Sequence, residues 1–434
     1  MLSSADARVV KRDPQVPGLG TLLSPEAFAE ALRRSYPDGG VTCVEARYVR
    51  YKRGTSCLVG YRVDTTHGPL DAYARAHNPS HHDKIENARR GPSTRSPLGS
   101  GIAVLSDLSV VIYPFPNDHE LRGLHGLADS GPRRALLERL LPDHPDLWAA
   151  TVEPLRYKPE RRFVARLLTP TDPGAVLKLY TKDDFRIASK NLESFVNEAP
   201  LRIARRLGRS RRDRATAVEW LDGRPLRQAL MHEGASGQTC RSVGAALARL
   251  HAQKPKLRRS STAESYACSL ADAAAAIAEI APEIAERARR LAERIGERLL
   301  NRHFRARRAI HGDFCADQVL LMGGDVAIVD FDRTGYGDPR IDLGTFQARL
   351  VYDAIRGVLS PDAARTCFDD VLQGYRETSD KDVTRKLPRF TAASLLLLAV
   401  EPFRHRHPDW PGESEAVVAA AEAQFAARGD EGGS

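Results

Sequence analysis

The chain has 434 residues, 42% of them hydrophobic, with 65 basic against 56 acidic side chains and a net charge of +9. That length holds two or three domains with ample core material, and the basic excess mildly favours anionic ligands such as nucleotides while giving little support to nucleic acid. Six cysteines, at 43, 57, 240, 268, 315 and 367, contain no C-x-x-C pair, which speaks against a zinc site and for a reduced compartment. The longest apolar stretch, 395–400, is far too short to span a membrane, and the N-terminal MLSSADARVVKRDPQ lacks the apolar core of a signal peptide, so a cytoplasmic protein without membrane partners is expected.

In chain order, an internal repeat comes first. Arg50-Tyr51-Lys52 precedes Arg53-Gly54-Thr55-Ser56 and the apolar run Cys57-Leu58-Val59. Arg156-Tyr157-Lys158 likewise precedes Pro159-Glu160-Arg161-Arg162 and Phe163-Val164-Ala165. Each copy continues through a polar turn into a second strand, 68–76 or 174–180, and then a helical stretch. Each closes on β-like residues and a marked turn, at Val110-Val111-Ile112-Tyr113-Pro114 and at 217–223. Residues 91–101 form a Ser-, Pro- and Gly-rich loop inside the first copy. The densest basic run, 202–214, holds seven arginines. It reads as a solvated helix face and loop, because no aromatic residue is interleaved to stack a base.

Helices follow. Residues 242–253 place Val243, Leu247 and Leu250 on one face, ending at His251. Residues 266–300 divide at Pro282, and 343–374 and 387–428 add further helices. Between them, residues 310–344 carry Asp313, Asp317, Asp330, Asp332, Asp338 and Asp342 around two short apolar runs, 318–322 and 326–329, joined by Gly323-Gly324. That is a tight hairpin whose two ends open on the same side and bring the acids together. Carboxylates gathered in this way call for a cation, and a divalent metal with phosphate ligands is the usual one.

His311-Gly312-Asp313, an amide five positions on at Gln318, the hairpin, Asp330-Phe331-Asp332 and then Gly337-Asp338-Pro339-Arg340-Ile341-Asp342-Leu343-Gly344 together resemble the catalytic core of the aminoglycoside phosphotransferase and choline-kinase-like family, relatives of the protein kinases. The resemblance implies an α+β, bilobal protein-kinase-like fold, with an antiparallel β N-lobe and a mainly α C-lobe. The repeat then reads as two N-lobes before one C-lobe: a degenerate cap or accessory domain at 1–147, a working N-lobe at 148–224 and a helical C-lobe at 225–434. Asp313 takes the place of the base that accepts the substrate hydroxyl proton. Gln318 and Asp330 take the places of the metal ligands, Gln318 standing where the family has Asn. Asp332 is a further metal ligand or an ordinary turn residue.

Lys178 occupies the position of the strand lysine that grips nucleotide phosphates, with Glu193 or Glu198 as its helix partner. Glu219, Trp220 and Leu221 stand at the adenine-facing hinge. No G-x-G-x-x-G is present. The turn in its place offers Arg161 and Arg162, as phosphate ligands or as a solvated basic turn. The first copy has Arg75 where Lys178 stands in the second, and no His-Gly-Asp segment of its own. The implied activity is transfer of the γ-phosphate of ATP or GTP, with Mg2+, to a hydroxyl of a small molecule such as an aminoglycoside, sugar or amino alcohol. A peptide Ser/Thr kinase and a non-catalytic kinase-fold binding protein are the alternatives. No nucleic acid partner is implied, and a homodimer through the N-terminal domain is allowed. For cationic acceptors, Glu401, Asp409, Glu413 and Glu415 are pocket acids or solvated ones.

Overall fold

A computed structural model describes residues 2–170, 174–191, 194–232, 234–300, 308–379 and 382–427. The chain divides into two compact units. The first is Met1–Phe185, Leu207–Val218 and Pro402–Trp410; the second is Arg186–Arg206, Glu219–Glu401 and Pro411–Ser434. The fold class is α+β, with two antiparallel five-stranded sheets in the first unit and a largely helical second unit.

The first unit opens with helices α1 (Ser4–Lys11), α2 (Leu19–Leu23) and α3 (Pro25–Ser35). The first sheet comprises β1 (Val41–Lys52), β2 (Ser56–Thr65), β3 (Leu70–His77), β4 (Ala103–Leu105) and β5 (Val110–Pro114), with α4 (His82–Arg90) after β3. Helix α5 (Ser130–Leu140) leads to β6 (Thr151–Lys158), β7 (Arg162–Leu168) and β8 (Ala175–Tyr180), then helix α6 (Lys182–Asn191). After the short β9 (Leu201–Arg202), β10 (Arg206–Ser210) and β11 (Ala215–Glu219) complete the second sheet. The strand orders are β1-β2-β3-β5-β4 and β6-β7-β8-β11-β10, so the repeat read from sequence is a repeat of topology.

Its register matches as well. Leu58 pairs with Arg50 on one side and Arg75 on the other; Val164 pairs with Arg156 and Lys178 in the same way. The repeat starts earlier than its strands. Asp13 accepts from the Tyr51 hydroxyl (2.8 Å) and the Gly54 amide (2.9 Å). Asp118 accepts from the Tyr157 hydroxyl (2.7 Å) and the Glu160 amide (2.9 Å). Helices α3 and α5 stand at matching places between that aspartate and the first strand. Leu136, Leu137 and Leu140 of α5 bury against Phe163, Ala165, Leu177 and Leu179. The second copy therefore begins near Asp118, upstream of residue 148.

The alternation of buried and half-buried residues along Arg162–Leu168 gives the second sheet one apolar face under α5 and one polar face. In the first sheet, Phe28 of α3 stacks on Tyr61 at 3.8 Å, and the opposite face is also packed. There Leu58, Tyr73, Val111 and Tyr113 meet Ile85 and Ala88 of α4, with Tyr157 against them. The late segment Pro402–Trp410 completes this unit. Arg406 donates to both Asp6 oxygens (3.0 and 2.7 Å) and to the Leu23 carbonyl, and Phe403 lies edge-on to Tyr51.

In the second unit, α7 (Leu226–His232), α8 (Gly237–Ala252), α9 (Ala263–Ile280) and α10 (Ala285–Leu300) precede the catalytic segment, and α11 (Arg340–Ile355), α12 (Pro361–Thr378), α13 (Leu387–Leu398), α14 (Glu401–Arg404) and α15 (Trp410–Ala426) follow it. Here α14 leads out into the late segment of the first unit. Strands β12 (Arg224–Pro225), β13 (Arg308–Ile310), β14 (Val319–Met322), β15 (Asp325–Ile328) and β16 (Gly335–Gly337) frame the acids. β14 and β15 form the expected hairpin, Val319 opposite Ile328 and Met322 opposite Asp325, with Gly323 and Gly324 at φ +58° and +127°. Val243, Leu247 and Leu250 of α8 anchor the core beneath it, with Phe314, Val319, Val326 and Phe346.

Candidate active site

The His311-Gly312-Asp313 loop leaves β13, which pairs with β16, and is held from below by Asp342. The buried Asp342 carboxylate accepts from the His311 amide (2.6 Å), the Gly312 amide (2.8 Å) and His251 Nε2 (2.9 Å). His251 in turn bonds the Tyr375 hydroxyl at 3.0 Å. Gly312 sits at φ +81°, and a Cβ there would fall 2.5 Å from the Arg333 carbonyl oxygen, so only glycine fits. His311 is fully buried and its Nε2 lies 2.9 Å from the Val329 carbonyl oxygen, so its role is to join the loop to the hairpin. Asp338 binds the Arg340 amide (3.0 Å) and guanidinium, starting α11 three residues before Leu343. Asp313 itself is left 32% exposed, with Arg333 Nε 3.9 Å away. A braced backbone with an accessible carboxylate is the arrangement a general base needs.

Asp330 stands at the end of the hairpin in the left-handed region (φ +69°, ψ 57°), which an aspartate adopts at a cost. Its Oδ2 is 3.5 Å from the Gln318 side-chain nitrogen, and Gln318 is buried in the short turn before β14, its carbonyl accepting from the Val329 amide (2.9 Å). The sequence positions 318 and 330 therefore converge, and Asp332 lies one short turn on, half-buried. Asn191 of α6 donates to the carbonyls of Phe331 (3.1 Å) and Thr334 (3.3 Å), fixing that turn. Among the described residues no three His, Cys, Asp or Glu side chains form a closed metal cage. A carboxylate beside an amide, both hard oxygen donors, is nevertheless the donor set that suits Mg2+ when phosphate supplies the rest.

In the second sheet, Lys178, Val164 and Arg162 share the polar face, because each cross-strand pair projects to one side. The turn before Arg162 is tied down at Glu160, which is buried in spite of its φ of +55°; Arg161 is exposed. Glu198 pairs with Arg249 of α8 at 3.0 Å, while Glu193 lies outside the described residues. At the hinge, Glu219 and Arg205 bond each other twice, amide to carbonyl and carboxylate to amide, both at 2.9 Å; Trp220 and Leu221 follow half-buried. An open cavity of about 500 Å³ is lined by residues 222–225, Gln228 and the hairpin tip at Leu321, Met322 and Gly323, without Asp313 or Asp330.

Besides Arg333, sequence reasoning missed two arginines among the acids of this segment. Arg227 grips Asp353 with two bonds (3.1 and 2.9 Å), which raise its pKa, and its Nε lies 3.9 Å from the exposed Asp317. Burial works against the Arg349 charge, but Asp313, with Cys315, Glu401 and Asp317 behind it, holds the guanidinium above its ordinary value. Nothing local in the sequence marks either arginine; α7 and α11 bring them to the acids only in the folded chain. Cys315 is no competitor to Asp313 as a reactive group, since burial first and Asp313 second push its thiol up to about 12.

A family model for the phosphotransferase enzyme family matches residues 166–380. A probable bifunctional tRNA threonylcarbamoyladenosine biosynthesis protein of Methanothermobacter thermautotrophicus is 32% identical over 93 residues, 21% of this chain, and the chain spans only 17% of that protein's length. A choline/ethanolamine kinase family protein from Mesorhizobium loti is 15% identical, covering 68% of this chain and 93% of its own, with a TM-score of 0.48. A thermostable mutant of aminoglycoside phosphotransferase APH(4)-Ia, in its apo form, is 13% identical over 68% of this chain and 99% of its own, at a TM-score of 0.48. A ternary complex of an APH(4)-Ia variant with AMP-PNP and hygromycin B gives 14% identity, 67% and 99% coverage and a TM-score of 0.47. The matched stretch runs from within β7 past the end of α12, and over those residues the chain matches the phosphotransferase enzyme family.

Proposed function

We propose that this enzyme transfers the γ-phosphoryl group of ATP or GTP to a hydroxyl of a small molecule such as an aminoglycoside, sugar or amino alcohol. The carrying observation is the loop at Asp313: Asp342, itself held by His251, fixes the loop backbone through two amides while leaving the Asp313 carboxylate open. Asp313 accepts the hydroxyl proton as the oxygen attacks phosphorus, and the leaving diphosphate takes the electron pair. Asp330 and Gln318 would hold Mg2+, with Asp332 as the further candidate, and the metal when bound neutralises phosphate charge. Lys178 grips the phosphates, paired with Glu193 or Glu198. Arg161 and Arg162 cover the phosphates from the turn, and Glu219, Trp220 and Leu221 line the adenine side. Arg227 and Arg349 flank the acceptor.

The peptide-kinase alternative is disfavoured because β16 pairs with β13 directly after the Asp330 turn, leaving no long activation segment. A non-catalytic binding protein would not need a braced, open Asp313. No described helix is long and apolar enough to cross a membrane; a cytoplasmic location, where nucleotide is supplied, belongs to the same reading, as does a homodimer through residues 1–147, which sedimentation velocity would reveal. The deciding experiment is nucleotide turnover with Mg2+ against a panel of aminoglycosides, sugars, amino alcohols and peptides. Acceptor-stimulated release of nucleoside diphosphate, abolished by Asp313→Asn, is expected; stimulation by none of the small hydroxylated compounds, or full activity in that variant, would overturn the assignment.

A further inference from the structure

Glu160 is an anomaly of the repeat. It stands where the first copy has Gly54, in the same turn and with the same aspartate anchor on its amide. Both positions are left-handed, at φ +65° for Gly54 and +55° for Glu160. Glycine takes that conformation freely, whereas a side chain there is strained by roughly 1–2 kcal/mol. The turn therefore does not ask for glutamate; the carboxylate must be wanted.

It is used in the first copy. Its Oε2 lies 2.7 Å from Arg75 Nη1 and also binds Arg50, and its side chain is only 4% exposed. Arg75 is the register equivalent of Lys178, as Leu58 is of Val164. The first copy thus holds a carboxylate of the second copy where the second is read to hold nucleotide phosphate. Pro159 enters with it, its ring 3.3 Å from where a Cβ on Gly60 would stand. Tyr157 packs beside Tyr73 and Tyr113, which stack at 4.5 Å.

We propose that Glu160 is a positioning residue: the first copy grips it through Arg50 and Arg75 to fix the turn that carries Arg161 and Arg162, doing by an ion-pair tether what a glycine-rich loop does by backbone amides. The proposal rests on the nucleotide-transfer reading. It gives the first lobe a role in the reaction without an active site of its own. A buried carboxylate shared by two guanidinium groups holds its loop more rigidly than a solvated basic turn is held.

The test compares Glu160→Gln and Glu160→Gly with the wild-type chain. Both remove the charge, and the second also relieves the backbone, so it guards against a variant that fails to fold. Two readouts are taken: KM and kcat for Mg-ATP turnover, and amide hydrogen exchange across 158–162. The expected result is a KM raised at least fivefold in both variants, kcat within twofold, and faster exchange confined to the turn. A KM within twofold of wild type in a folded variant overturns the proposal. So does loss of the folded first unit in both variants, since the pair would then serve cohesion and not placement. A wild-type chain that turns over no nucleotide sinks the transferase reading instead; the tether is then decided by exchange alone, faster exchange supporting it and unchanged exchange overturning it.

Discussion

The two sheets of the first unit have one topology and one register, yet one of them presents a polar face where the other is filled. On the second sheet, Arg162, Val164 and Lys178 stand half-buried on one face, beside the buried Tyr180. On the first, the equivalent face is closed by Ile85, Ala88 and Tyr157, and its arginine is spent on Glu160. The backbone is the same to the level of strand pairing, so it does not decide which copy is read as the nucleotide site. A handful of side chains does, and function resides in them and not in the fold.

The sharpest way to break this comparison lies outside both sheets. Asp313→Asn should lower kcat by about 10²–10⁴-fold with unchanged far-UV circular dichroism, because the base is lost and its bracing is not; near-normal turnover would mean that the second sheet serves no reaction at this loop. Next, Asp342→Ala removes the acceptor of three buried donors and should destabilise the second unit by about 3–5 kcal/mol, read as a lower urea midpoint. Lys178→Met and Arg75→Met then test the pair directly. The first should raise the nucleotide KM about tenfold or more, the size of one lost charge-assisted contact, with little change in stability. The second breaks half of the Glu160 tether and should raise KM by less, about fivefold, with some loss of stability from the stranded carboxylate; an Arg75 effect on KM as large as that of Lys178 would erase the distinction.

A smaller effect separates the sheets by pH. His77 pairs with Ser56 where Tyr180 pairs with Arg162 in the second copy. Burial, then the positive field of Arg75, Lys84, His81 and His119, lowers its pKa from 6.5 to about 4. The unfolded chain therefore binds the proton first, and stability present above pH 6.5 is lost as pH falls toward 4. Thermal melts over that window should drop by a few degrees, and His77→Gln should flatten the profile. Smallest of all, Arg161→Ala and Arg162→Ala should each raise the nucleotide KM a few-fold; no change in either leaves them as solvated basic residues.

Much of this was legible in the sequence. The hairpin with Gly323-Gly324, the convergence of residues 318 and 330, and the strand pattern of both copies follow from short-range rules of period and turn. The aspartates that anchor each repeat were not legible, because Asp13 and Asp118 sit 38 and 39 residues before the tyrosines they bind. Gly54 and Glu160 share a conformation but no chemistry, so their equivalence appears only in φ. The Gly-Asp-Pro-x-x-Asp pattern marks Asp338 and Asp342 as braces of the loop and caps of the helix, but only the folded chain gives the loop amides to Asp342 and the helix start to Asp338. Nothing local marks Arg227 and Arg349 until α7 and α11 bring them to the acids.

The segment around Arg406 carries a consequence for how the molecule is made. Its guanidinium closes on Asp6, 400 residues earlier in the chain. Both sheets are synthesised before this cation is, and until then Asp6 has its local bond from the Ser3 hydroxyl but not the guanidinium. The helix before the first sheet is thus sealed by a segment made after both sheets, so the first unit closes only once its own sheets are already complete.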